Sequence, residues 1–375
     1  MDANETGRVL IAGGGIAGLA VRRALALRNV PSLTLERRGR SEDGGLAINL
    51  PGNAVQALAR LGLAEAMRAV GRPVRRREYR TERDRLLFAV DEAAFWGEAL
   101  VPHCLRRADL LRLLGQDLPP DDLIAGRAVA AIHPEPGGIT VACDDGDIVR
   151  GGLLVGADGV RSGVRRALFG EAAPQAATLA SASWRFMAPD PGLDAWTVWA
   201  GAGALFLLIP VERGTVYGWA SVADATGRDL RAARGAFAGF PRPVRDTLDA
   251  ALERPDAIHH SPLEEIRIPH WSAGRVVLAG DAAHATAPVW AQGAALALED
   301  ALVLADCLAG CTDWSGIGPA YETRRRPRVA HVQAMTDRMS RASQLPGWAR
   351  RILLPVIGPR SYRATYAPLR APVIA

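Results

Sequence analysis

The sequence predicts an α/β protein in which a parallel nucleotide-binding domain is interrupted by an inserted β-sheet and closed by C-terminal helices. A glycine-rich turn at 13–18 lies between a short apolar run, Arg8 to Ala12, and an Ala/Leu-rich helical stretch from about Ile16 to Arg28; a second strand, Ser32 to Glu36, completes a βαβ unit. From about 177 to 268 the pattern changes to short aromatic strands. A buried-strand pattern then returns at Arg275 to Ala279, followed by a Gly280-Asp281 turn and an apolar helix, Gln292 to Leu308. This order assigns 1–176 with 269–340 to a Rossmann-like domain and 177–268 to a substrate domain whose sheet is a candidate to recruit part of 70–105. Residues 341–375 form a C-terminal helical segment.

The remaining elements follow from local pattern. Pro51 to Leu61 predicts a helix, Val74 to Val90 charged strands, Ala108 to Leu118 a helix, and Ala128 to Val149 a β-meander. In the inserted region the predicted strands are Ser183–Met187, Trp196–Ala200, Ala204–Val211 and Thr215–Val222, the last placing Tyr217, Trp219 and Ser221 on one face. Pro319 to Ser340 and Pro346 to Leu354 are helical and arginine-rich.

All 45 basic residues among the 375 are arginines, and the chain has no lysine. Lysine nucleophiles, pyridoxal-phosphate Schiff bases and the P-loop lysine are therefore excluded, even though a GC-rich codon bias suffices to explain the composition. At 49% hydrophobic and 23% charged the chain is globular. A net charge of +5, spread from Arg8 to Arg370, makes no basic stripe, so no nucleic-acid partner is expected. The four cysteines lack metal or redox spacing, the start is polar, and no apolar run reaches the ~20 residues of a membrane helix. A reduced, cytoplasmic protein is the expectation.

Gly13, Gly15 and Gly18 stand in G-x-G-x-x-G register, with Ile16 and Ala17 opening the helix, so backbone can approach a pyrophosphate at a helix N-terminus. Glu36, followed by Arg37, lies where a carboxylate accepts ribose hydroxyls. A 2′-phosphate would face that carboxylate, which leaves FAD or NAD for this site.

The string GRVVLAGDAAHATAPVWAQGAALALEDA, Gly274 to Ala301, closely resembles the second flavin fingerprint of the single-component (group A) FAD-dependent aromatic hydroxylases, the p-hydroxybenzoate hydroxylase-like monooxygenases. VGADGVRSGVRRAL, Val155 to Leu168, resembles their DG motif. CLRRADLLRLL (Cys104 to Leu114), LERR (Leu35 to Arg38) and ETRRRPR (Glu322 to Arg328) match further family segments. The resemblance implies a GR2-type FAD-binding domain. In it Gly280 and Asp281 meet the ribityl chain, while Gln292, Gly293 and Ala294 aim a helix N-terminus at the flavin N1–C2=O edge. It further implies that Asp158 and Arg165 contact FAD, that Arg107 rather than Arg106 meets the flavin or pyrophosphate, and that Pro288 stands near C4a and the substrate. NADPH or NADH would reduce the FAD transiently, since no second G-x-G-x-x-G unit follows. O2 would add at C4a, and the hydroperoxide would oxygenate an electron-rich substrate.

Ala291-Gln292-Gly293 departs from the family's Gly-Gln-Gly, so a stiffer or displaced backbone is expected there. Flavin halogenases are excluded by the missing lysine and by the spacing of Trp196 and Trp199. Trp184, Trp199, Trp219 and Trp290 are the candidate walls of a pocket for a small aromatic or polyketide-like substrate, with core packing as the alternative. Arg185 and Tyr217 are candidates for orienting or deprotonating a phenol. His103 and His284 suit structural roles, and no residue cluster suggests a metal. Two alternatives stay open: an FAD-dependent oxidase or dehydrogenase, and a non-catalytic flavin-binding or membrane-associated module. The latter rests on Leu345 to Pro359, which mixes Trp, Arg and aliphatics as an interfacial helix does. These motifs identify neither the substrate nor the oligomeric state.

Overall fold

The computed structural model describes residues 7–39, 46–170, 173–180, 182–223, 227–343 and 347–374. In chain order, its principal elements begin with β1 (Val9–Ala12), α1 (Ile16–Ala26), β2 (Ser32–Glu36), β3 (Arg76–Thr81) and β4 (Leu86–Asp91). Next come α2 (Arg107–Gly115), β5 (Leu123–Ala125), β6 (Leu153–Gly156) and α3 (Gly163–Phe169). Then follow β7 (Ser183–Pro189), β8 (Trp196–Ala200), β9 (Ala204–Glu212), β10 (Thr215–Val222), α4 (Arg242–Leu252) and β11 (His259–His260). The described chain closes with β12 (Ser272–Ala273), β13 (Val276–Leu278), α5 (Gly293–Leu308), α6 (Ile317–Ser343) and α7 (Gly347–Tyr366).

Six strands form the first sheet, in the order β12-β13-β6-β1-β2-β5, parallel except for the β12-β13 pair. Every residue of β1 and β6 is buried, as expected where both faces of a parallel sheet are covered. The strand recovered after the insertion, β13, pairs with β6, so the two distant halves of the sequence make one sheet. Helix α5 packs on α1 across its face, and its buried Leu296, Leu298, Val303 and Leu304 belong to the main core.

The second sheet has the order β11-β7-β10-β9-β8-β3-β4, antiparallel except where β8 meets β3. Its period-two alternation separates two faces. Trp184, Phe186, Trp199, Phe206 and Leu208 point outward, where Val244, Leu248 and Ala251 of α4 cover them. The opposite face carries Arg185, Met187, Tyr217 and Trp219, and its apolar part packs with Ala47, Val74 and Cys104 against the nucleotide-binding half.

The last helix differs from the prediction: α7 continues well past Leu354, through Pro355 and Pro359, to Tyr366. A proline within a helix loses a hydrogen bond and crowds the preceding turn. Burial of Tyr362 and Tyr366 against the body offsets that cost. Leu345 and Pro346, the start of the stretch Leu345 to Pro359, lie outside the described residues.

Candidate active site

The first glycine turn is shaped by contact. A Cβ at Gly18 would stand 1.8 Å from the Gly13 carbonyl oxygen, and one at Gly13, where φ is +111°, would stand 2.5 Å from the Ala157 oxygen. Larger residues would push α1 away from β1 and β6. At Gly15, by contrast, an added Cβ would meet nothing within 4 Å. Gly15 is the N-cap of α1 and offers no side-chain cap, so the first amides of the helix face open space, the arrangement that a pyrophosphate fills. Glu36 ends β2 beside this turn; its carboxylate accepts the Gly14 amide and, at 2.8 Å, the Arg38 amide. Arg37 is exposed next to it.

Helix α5 presents a second uncapped N-terminus. The Gln292 side chain turns inward, exchanging amide hydrogen bonds with Asn53 at 3.0 and 3.2 Å, so only backbone at Gln292, Gly293 and Ala294 faces the cleft. Ala291 holds φ at +53°, the left-handed region that glycine would occupy without strain, so alanine in place of the family's glycine carries backbone strain here. Asp281 lies beside this helix start, 3.8 Å from where a Gly293 Cβ would be. Its carboxylate opens to the cleft yet sits among protein atoms. Burial pushes its pKa up, with His284, Arg185 and Arg107 pulling against that rise. Exposed Pro288 starts the turn between the two.

A buried polar network holds this loop, and the sequence reading did not find it. Asp300 accepts the Gly280 amide at 2.8 Å, His284 Nε2 at 2.7 Å and Arg325 Nε at 2.7 Å. Arg325 also donates to Glu299 at 3.0 Å, and Glu299 accepts from Asn53 at 2.9 Å and Arg328 at 2.8 Å. Burial alone would raise the Asp300 carboxyl, but His284 and Arg325 more than reverse it and hold it well below the usual range. Glu299-Asp300 ends the Gly274–Ala301 segment, and Arg325 lies in the Glu322–Arg328 segment. Only the packing of α5 against α6 joins them.

Several predicted site residues have partners within the protein. Arg165 is buried and donates to the carbonyls of Pro174, Ala282 and Val160 at 3.1, 2.8 and 2.6 Å, clamping α3 to the loop after Asp281. The Asp158 carboxylate is occupied by Ser162 Oγ and the Gly163 and Val164 amides, which cap α3. Trp184 and Trp199 lie on the outer face of the sheet, because strand alternation sends them away from the cleft. Trp290 is buried against Tyr366, whose hydroxyl donates to its carbonyl at 2.6 Å. Trp219 alone of the four shares a face with Arg185 and Tyr217, held by a 3.2 Å bond from its indole to Ser183 Oγ.

That face converges on Asp281. Arg185 pairs across the sheet with Trp219 on one side and His259 on the other, and its charge acts on Asp281, Tyr217 and His259. The Arg107 charge also reaches Asp281 and His259, while Arg106 turns to an ion pair with Glu212. Burial pushes the Tyr217 hydroxyl up to about 12, with Arg185 opposing, so at neutral pH it is a donor and not a base. Burial and then Arg185 lower the His259 pKa, which favours its neutral form. His103 donates from Nδ1 to the Val101 carbonyl, 2.7 Å away, a packing role.

The glycine turn before α1, the uncapped start of α5 and a second sheet beside both are the features of an FAD-binding fold. Residues 6–338 match the FAD-binding-domain family, to which the chain belongs, together with the single-component FAD-dependent aromatic hydroxylases; the protein is an FAD-dependent monooxygenase. It is 31% identical over 353 residues to the aurachin C monooxygenase/isomerase of Stigmatella aurantiaca, covering 90% of this chain and 89% of the relative. Identity to a 3-amino-4-hydroxybenzoate 2-monooxygenase of Streptomyces platensis is 32% over 370 residues, 92% of this chain and 91% of the relative. The fold matches Klebsiella pneumoniae HpxO complexed with FAD and uric acid at a TM-score of 0.82 and 26% identity, covering 97% of this chain and 92% of that one.

Proposed function

We propose that the protein uses NADH or NADPH and O2 to oxygenate a small, flat, acidic aromatic compound bound against Arg185, Tyr217 and Trp219. The observation that carries this reading is Arg185: a half-buried guanidinium on the cleft face, without a hydrogen bond or ion pair to a described residue. A half-buried cation in that position favours an anionic ligand. The relatives named for 3-amino-4-hydroxybenzoate and the Klebsiella protein complexed with uric acid support a ring-shaped acid.

FAD, when bound, supplies the redox chemistry and the activation of oxygen. The residues of the chain orient and shield. The amides at Gly15 and at Gly293-Ala294 would hold the cofactor's anionic parts, and Asp281 would accept from its ribityl hydroxyls. Arg185 stabilises the deprotonated substrate, whose ring is thereby electron-rich. Tyr217, kept protonated, donates to a substrate oxygen, and Trp219 and Pro288 supply flat walls that exclude water. The test is substrate-stimulated NAD(P)H oxidation across a panel of hydroxybenzoates and acidic heteroaromatics, under labelled O2. Label is expected in the product; product formed without label rejects oxygen transfer.

A further inference from the structure

Helix α7 is fixed to the body at both ends. Gly358 lies so near Phe88 that a Cβ there would stand 2.2 Å from its ring, and Tyr362 donates to buried Glu92. Toward the other end, Arg350 donates to the Gly201 carbonyl at 3.0 Å and Arg351 pairs with Glu82 at 2.8 Å. An anchored helix of this kind normally turns polar residues outward. This one exposes Trp348 (69%), Ile352 (66%), Val356 (57%), Ile357 (48%) and Leu353 (39%). At about 100° per residue Trp348, Ile352 and Val356 lie within about 80° of one another, and Leu353 and Ile357 widen the exposed apolar surface to about half the helix circumference. Exposed Arg360 and Arg363 extend the helix by a further turn, and no Asp or Glu occurs after Asp337.

We propose that this face docks the enzyme on an anionic phospholipid surface. Trp348, Ile352, Val356 and Ile357 would enter the boundary between headgroups and acyl chains, and Arg360 and Arg363 would meet lipid phosphates. Charge selects this occupant over a second copy of the chain. A twofold contact through the same face would bring the arginines of two helices together with no acidic residue on either to pair them. No helix among the described residues is long and apolar enough to cross a membrane, so the attachment is peripheral. The other end of α7 reaches the candidate site, where the Tyr366 hydroxyl holds the Trp290 carbonyl. A docked enzyme would therefore hold its Pro288–Trp290 turn by the same helix that meets the lipid. The inference rests on α7 alone and is independent of which substrate the cleft takes.

Co-sedimentation of the FAD-loaded protein with phosphatidylcholine vesicles, with and without phosphatidylglycerol, tests it. The expected result is pelleting with the mixed vesicles at least roughly tenfold above that with phosphatidylcholine alone, declining as salt is raised. A Trp348→Ser/Ile352→Ser/Val356→Ser variant should stay in the supernatant while keeping its bound-flavin absorbance, which shows that it is folded. Arg360→Gln/Arg363→Gln should lose roughly tenfold in binding to the anionic vesicles. Equal pelleting with both lipids, or none with either, overturns the proposal. A dimer in sedimentation velocity that the triple serine variant dissociates also overturns it, assigning the face to a second copy.

Discussion

Arg185 and Asp281 were both visible as residues, but their chemistry depends on what surrounds them. Arg185 lies opposite Trp219 and His259 on a face that no strand pattern alone ties to the nucleotide-binding half. Arg185→Gln is expected to raise KM for acidic aromatics by roughly 10- to 100-fold, the loss of one charge-assisted bond, while binding of uncharged analogues changes little; a uniform loss for all substrates would argue against an anion anchor. Asp281 has a raised pKa, so its ionised form opposes folding above that pKa, and stability is recovered as pH falls through it. Asp281→Asn should therefore unfold at higher urea concentration than the parent in the FAD-free protein, yet bind FAD more weakly. A variant that is both less stable and unchanged in flavin titration would contradict both parts.

At the scale of elements, the loop after β13 is held by α5 and α6 through Asp300, Glu299 and Arg325. Removing one member of such a buried set strands the others without partners. Arg325→Leu is expected to cost about 3–5 kcal/mol in chemical unfolding. The pH dependence follows from Asp300, whose pKa is depressed in the folded chain. Its stabilisation is complete above the unfolded value near ~4 and is lost as pH falls toward the folded value. Stability should thus fall on acidification below about pH 4, and Asp300→Asn should flatten that part of the profile while lowering stability at neutral pH. The GD turn and the apolar helix were legible because glycine spacing and helical period are local. Arg325 was not, since it stands twenty-five residues from Asp300 and only helix packing makes them neighbours.

Across the whole molecule, the first glycine turn and the loop before α5 are brought to the same edge of one sheet, because β13 pairs with β6 beside β1, and a Cβ at Gly280 would stand 2.9 Å from that of Ala17. FAD bound there would touch segments far apart in sequence and none of them in the unfolded chain. Added FAD at a hundredfold excess over Kd should stabilise the protein by about 2.7 kcal/mol in denaturant titration. A midpoint independent of FAD would place the cofactor elsewhere.

The order of βαβ unit, inserted sheet and returning strand was set by periodicity and glycine spacing, and so were the missing lysine chemistries and the flavin fingerprints. Those signals are local, and a turn or a period is complete within a few residues. The tertiary structure decided which tryptophan shares a face with Arg185, that Arg165 and Asp158 bond within the scaffold, that burial raises the Tyr217 hydroxyl, and that α7 exposes a run of apolar side chains. Each of these depends on which face a strand or helix buries and on what packs against it, and desolvation and side-chain pairing arise only when distant segments meet.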